Sequence, residues 1–143
     1  MKLFALLLLC AFACYVKAES KLTEEKVRET SNQCKEETST TDADISDMLQ
    51  HLPASGTPAK CMRSCVMKKL DMVDANGKMI KAPLVDVMKY AANGDAAKEA
   101  MAEQMADACI NIKLPTDACE SAEENVLCMI KQFKDRGFKP RKH

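Results

Sequence analysis

Histidine is scarce in this chain, with only His51 and His143, and that scarcity closes off most catalytic and metal chemistry. A zinc centre favours closely spaced ligand pairs with histidine help, which two isolated histidines do not supply. A secreted helical hydrolase of the phospholipase kind needs a helical histidine beside a carboxylate and a calcium loop. His51 falls instead at the end of a helical stretch and His143 at the last residue, and neither is accompanied by triad-like nucleophile signals. Paired acids such as Glu123-Glu124 read as solvated faces. Net charge is also lacking: 21 Lys and Arg balance 21 Asp and Glu, which argues against nucleic acid or an anionic membrane as partner. The basic end Lys139-Pro140-Arg141-Lys142-His143 reads as a frayed, solvated terminus. Strand signals are missing too, because nothing alternates with period two over a useful length. The chain is therefore expected to be no enzyme, with no metal and no cofactor.

Long apolar runs are lacking except at the start. Lys2 precedes fourteen apolar residues from Leu3 to Val16, and Val16-Lys17-Ala18 has the small-residue pattern of a cleavage site. This is a secretory signal, too short for a membrane span, with cleavage expected after Ala18. Residues 19–143 then form one domain, secreted into an extracellular fluid. Removing Lys2 and Lys17 leaves 19 basic against 21 acidic residues.

What the chain has in quantity is helix. Ser20 to Thr38 is charged, with Glu24 and Glu25 in its first turn and a thin apolar face of Leu22, Val27 and Cys34; a helix that buries so little must be held by its cysteine. Asp42 to Leu52 presents Ile45, Met48, Leu49 and Leu52, and Pro53 to Pro58 turns the chain into the next helix. Thr57 to Val73 has Pro58 in its first turn and Met62, Val66, Leu70 and Val73 on one face. Asp74-Ala75-Asn76-Gly77 is a turn; as a calcium loop it fails, since Met72 and Pro83 would fall where carboxylates are required. Pro83 opens a helix presenting Leu84, Val87, Met88 and Ala91. Asn93-Gly94-Asp95 stops it and caps a long one to Ile112, striped by Met101, Met105, Ala108, Cys109 and Ile112. Asp117 caps the last helix, which Gly137 stops near Arg136. The expectation is all-α, a compact bundle of about six helices.

Cys10 and Cys14 leave with the signal, and Cys34, Cys61, Cys65, Cys109, Cys119 and Cys128 remain. An even count in a small secreted domain indicates three disulfides. Cys61 and Cys65 are four apart on a helix, with Cβ atoms about 5–6 Å apart, too far for the roughly 3.5–4.5 Å a disulfide needs. Cys119 and Cys128 lie about 180° apart around their helix and about 13 Å apart along it, so they cannot pair either. Of the fifteen possible pairings, ten survive. The Thr57–Val73 helix must reach out twice and so acts as a hub, and the last helix must be bridged on both sides.

The spacing Cys34-x26-Cys61-x3-Cys65-x43-Cys109-x9-Cys119-x8-Cys128, behind a signal and on a helical background, resembles the six-cysteine insect odorant-binding proteins, the pheromone and general odorant-binding family. The turn Asp74-Ala75-Asn76-Gly77-Lys78 after the hub is also similar. The resemblance covers essentially all of residues 19–143. It implies three interlocked disulfides, Cys34–Cys65, Cys61–Cys119 and Cys109–Cys128, around an internal apolar cavity. It also implies a small apolar ligand, an olfactory membrane receptor as indirect partner, and a monomer or weak homodimer. One feature departs from the members with a long apolar C-terminal segment: after Gly137 only Phe138 is apolar, so no tail helix is expected to fill the site.

Besides Met1 the chain has nine methionines. Taken alone, stripes at helical spacing indicate core; the resemblance implies instead a cavity lined by the hub, fourth, fifth and last helices, where flexible methionines re-pack around varied apolar shapes. The candidate lining is Met62, Val66, Leu70, Val73, Leu84, Val87, Met88, Met101, Met105, Ile112, Val126, Met129, Ile130 and Phe133, with the Tyr90 hydroxyl placed to hold a ligand's polar end. His51 is expected to be an exposed histidine at a helix end rather than a pH switch. The function implied is a secreted carrier that binds and solubilises odorants or pheromones. The alternative is a secreted interaction or scavenging protein of saliva, seminal fluid or haemolymph with a filled core.

Overall fold

The structure, a computed structural model, describes residues 22–140. The signal expected at 1–18, Cys10, Cys14 and His143 lie outside them. The described residues form α1 (Glu24–Thr38), α2 (Asp42–Leu49), α3 (Thr57–Lys69), α4 (Lys81–Ala92), α5 (Ala96–Glu99), α6 (Ala102–Cys109) and α7 (Ala118–Asp135). The fold is all-α, and its seventh helix arises because the expected fifth one is broken. At the break the Met101 N–H bonds to the Lys98 carbonyl only three residues back, a tightened turn that no glycine or proline announces. The break serves packing: α5 buries none of its residues, whereas α6 buries Ala102, Met105, Ala106 and Cys109.

Helix starts follow local chemistry. Thr23, Thr41, Asp95 and Asp117 each accept a backbone N–H of the first turn, satisfying donors that have no partner within the helix. Thr41 and Asp44 form a reciprocal capping box. Two helix ends come earlier than the apolar spacing suggests. α2 stops at Leu49 because His51 turns left-handed (φ 57°), with Leu52 N–H bonded to Asp47 O. The hub α3 stops at Lys69 because Asp71 does the same (φ 53°), with Met72 N–H bonded to Met67 O. Both are Schellman-type closures in a position usually held by glycine, so the usual glycine signal is absent.

Met72 and Val73 therefore leave the helix and enter a tight hairpin. Val73 bridges Met79, Gly77 N–H bonds to Asp74 O, and Asp74 Oδ1 accepts from Asn76 N and Lys78 N. Gly77 has φ 74°, and a Cβ there would lie 3.1 Å from Ser121 Oγ; Asn125 Nδ2 donates to its carbonyl at 3.0 Å. The turn is thus seated on α7.

The disulfides are Cys34–Cys65, Cys61–Cys119 and Cys109–Cys128, with Cα separations of 5.7, 4.4 and 5.8 Å. The hub is tied to α1 and α7, and α7 is held to α3 at its start and to the end of α6 further along. In the chain-entropy account each crosslink contributes roughly 3–4 kcal/mol. Two apolar clusters result. A small one joins Cys34, Ile45, Met62 and Val66; a larger one is built on α4, α6 and α7 and includes Leu84, Met88, Met105, Ile130 and Phe133.

Candidate functional site

Between the clusters lies a cavity of about 140 Å³, walled by α1, α2, α3, α4 and α7. Its wall is mostly aliphatic: Leu22, Val27, Met48, Leu49, Val66, Met67, Leu70, Met72, Val87, Ala91, Val126, Met129 and Ile130. On α7, Val126, Met129, Ile130 and Phe133 recur at i, i+3, i+4 and i+7, so one continuous face of this doubly crosslinked helix lines the cavity. On α4, Val87, Tyr90 and Ala91 line it as well.

Eight of the candidate residues meet in this wall: Val66, Leu70, Val87, Tyr90, Val126, Met129, Ile130 and Phe133. The other seven lie elsewhere. Met62 is fully buried in the small cluster; Leu84, Met88 and Met105 are fully buried in the large one, and Met101 packs on its edge. Val73 sits in the hairpin bridge and Ile112 follows α6, half-buried. The fifth helical region contributes nothing to the cavity, because the apolar face of α6 is spent on α4 and α7. α1 and α2 contribute instead, through residues whose sparse apolar patterns had not suggested a wall.

Phe133 is the aromatic hydrocarbon ring of the wall. The His51 ring lies 4.6 Å from it and the Phe138 ring 5.4 Å from it on centroids. His51 is therefore not the exposed helix-end histidine that its position in the sequence suggests: the left-handed turn after α2 swings it inward, where it lines the cavity. Burial holds its pKa below the ordinary 6.5, because low-dielectric surroundings disfavour the charged ring. Phe138 is buried as well, and its N–H bonds to Phe133 O while Gly137 N–H bonds to Lys134 O. Phe138 thus folds back onto α7, no helix follows Gly137 among the described residues, and Lys139 reaches the cavity wall.

The second polar group of the wall is Arg63, 1 % exposed. Its guanidinium donates to Glu123 Oε2 at 2.9 Å and to Leu52 O at 2.6 Å, while Glu123 Oε1 accepts from Ala54 N at 2.8 Å. Glu123 is therefore no solvated acid, unlike its exposed neighbour Glu124. A buried ion pair persists only when its remaining valences are met, and here they are met largely by the α2–α3 loop. The pair clamps that loop, and with it His51, against α7. Nothing local in the sequence marks Arg63 and Glu123 as partners, since they stand 60 residues apart. Among the described residues no group of three or more His, Cys, Asp or Glu could hold a metal ion, and no helix is long and apolar enough to cross a membrane.

Residues 16–132 match the model of the PBP/GOBP family. The chain is 32% identical to general odorant-binding protein 19d of Drosophila melanogaster over 136 residues, which are 95% of this chain and 91% of that one. A solved structure, odorant-binding protein 28a of the same fly, superimposes with a TM-score of 0.74 at 36% identity, covering 80% of this chain and 94% of that one. Odorant-binding protein 7 of Anopheles gambiae, solved with four disulfide bridges and in complex with an azo compound, shares the fold at 22% identity, a TM-score of 0.57, and coverage of 81% and 92%. A family match over most of the chain, a curated relative spanning nearly all of it, and three disulfides that tie a helical bundle round an apolar hollow lead to one conclusion: this chain belongs to the PBP/GOBP family, the insect odorant-binding proteins.

Proposed function

We propose that residues 19–143 act as a secreted carrier that takes small hydrophobic odorants or pheromones out of water and holds them in the cavity between α4 and α7. The observation that carries this reading is the cavity itself, about 140 Å³ with a mostly aliphatic and methionine wall. An engineered cavity of about 150 Å³ lined by Leu, Ile and Phe stays dry and binds benzene, which sets the scale of the ligand core. Burial yields about 25 cal/mol per Å² of apolar surface, so affinity follows ligand size and apolarity more than hydrogen bonding. Flexible methionines at positions 48, 67, 72 and 129 suit binding of varied shapes. Family membership supports a small-ligand carrier role, and the odorant-binding relatives support the ligand class. No catalytic role is proposed.

The test is displacement of a fluorescent apolar probe from oxidised protein comprising residues 19–143. Several apolar volatiles should compete with micromolar affinity, roughly −8 kcal/mol. If none competes while circular dichroism shows an intact helical fold, the carrier reading is wrong, and the filled-core scavenger or interaction protein takes its place.

A further inference from the structure

Among the described residues, the charged groups on the cavity wall are of one sign. Beyond its apolar residues the wall has His51, Arg63, Tyr90 and Lys139, and among the described residues no aspartate or glutamate lines it. The Arg63 charge is already answered by Glu123, and burial disfavours the charged form of the His51 ring. Lys139 is different. It is exposed yet lines the cavity, so it stands where the wall meets water. It makes no ion pair among the described residues. Among the described residues lining the adjoining depression, the acidic one is Asp95, and that carboxylate is occupied: Oδ1 caps α5 through Ala97 N and Lys98 N, and Oδ2 faces Lys98 Nζ at 3.7 Å. The backbone leading to Lys139 is anchored, because the preceding residue, Phe138, is buried against Phe133 and hydrogen-bonded to the end of α7.

From this geometry we infer that Lys139 is a specificity-determining residue, which makes the cavity favour apolar molecules ending in a carboxylate over otherwise identical alcohols and amines. The inference rests on the carrier reading. The apolar chain lies against Met129, Ile130 and Val87, and the anionic head stays at the mouth beside the Lys139 ammonium. That placement avoids the cost of burying a charge, which an inner site would impose. A partly exposed pair of this sort is a modest effect and should weaken with salt.

Isothermal titration of residues 19–143 at pH 7.5 with octanoate, 1-octanol and octylamine tests it, comparing wild type with Lys139→Gln and Lys139→Glu. Lys139→Gln should weaken octanoate about five-fold, the scale of an exposed ion pair, and leave 1-octanol unchanged. Lys139→Glu should weaken octanoate further and strengthen octylamine. Because each ligand is compared with itself across variants, differences in water solubility cancel. If 1-octanol binds but octanoate affinity is the same in all three proteins, the inference fails and the carrier reading stands. If the two ligands weaken equally in Lys139→Gln, the lysine stem only covers the wall, and the inference fails again. If neither binds the wild type, the carrier reading itself fails.

Discussion

The two sides of the molecule are made from the same residue types and end up differently. On the side of α4 and α6, Leu84, Met88 and Met105 are fully buried and fill their space. On the side of α1, α2 and α3, residues of the same character, such as Leu49, Leu70, Met48 and Met67, surround a hollow. The difference lies in what crosses the interior. The first side closes on itself through small residues, Ala92, Ala102 and Ala106, which let α6 approach α4. The second is held open by a buried ion pair and by two left-handed helix ends that fix the α2–α3 loop and the start of the hairpin at set positions. A filled core thus comes from close approach, and a hollow from struts that prevent it.

The largest expected effect comes from removing a strut. Arg63→Met leaves Glu123 buried without its partner and should cost about 3–5 kcal/mol; chemical denaturation measures it. Adding Glu123→Leu should recover a large part of that loss, and a double variant no more stable than Arg63→Met would show that the pair does not act as a unit. The next test sets the two sides against each other directly. Met88→Ala in the filled side should cost about 3 kcal/mol and leave probe binding unchanged. Met129→Ala, whose side chain already borders empty space, should cost nearer 1 kcal/mol and shift the preferred ligand toward larger molecules. Equal losses would mean the hollow is no softer than the core.

Filling the hollow should have a smaller and opposite effect on stability. Ala91→Leu adds bulk where the wall faces the cavity, so it should stabilise by about 1 kcal/mol while abolishing probe binding. The smallest effect is on pH dependence. The folded-state pKa of His51 is depressed below 6.5, so folding favours its neutral form. That contribution is fully present above the unfolded value of 6.5 and is lost as pH falls from there through the folded-state pKa. In melting experiments at pH 7.5 and pH 5, His51→Gln should lose less stability on acidification than wild type. Asp44, lowered by hydrogen bonds from Ser55 and Thr41, acts in a separate window at and below 3.8.

Much of the frame was legible because its signals are local. Asp117 and Gly137 bracket α7 as spacing and capping chemistry suggest, and the separation of Cys119 from Cys128 already required α7 to be bridged on two sides. Helical phase was legible too, but only as inward or outward. On α4 it cannot distinguish Met88, which meets α6, from Val87, one residue earlier, which meets the hollow. The closures at His51 and Asp71 were illegible because each uses a non-glycine residue in a left-handed turn. The break at Met101 has no local cause, since Ala, Glu, Lys and Met all favour helix. Arg63 and Glu123 found each other across a distance that no periodicity spans.

By itself the amino-acid sequence determined the helical class, the main caps, the two cysteine pairs that cannot form and the apolar face of each helix, because caps, pitch and crosslink reach depend on neighbours a few residues away or on simple geometry. Only the tertiary structure decided which apolar faces meet one another and which face a void. That outcome depends on how closely helices approach, and approach is set by small residues, crosslinks and one buried ion pair acting together over the whole chain.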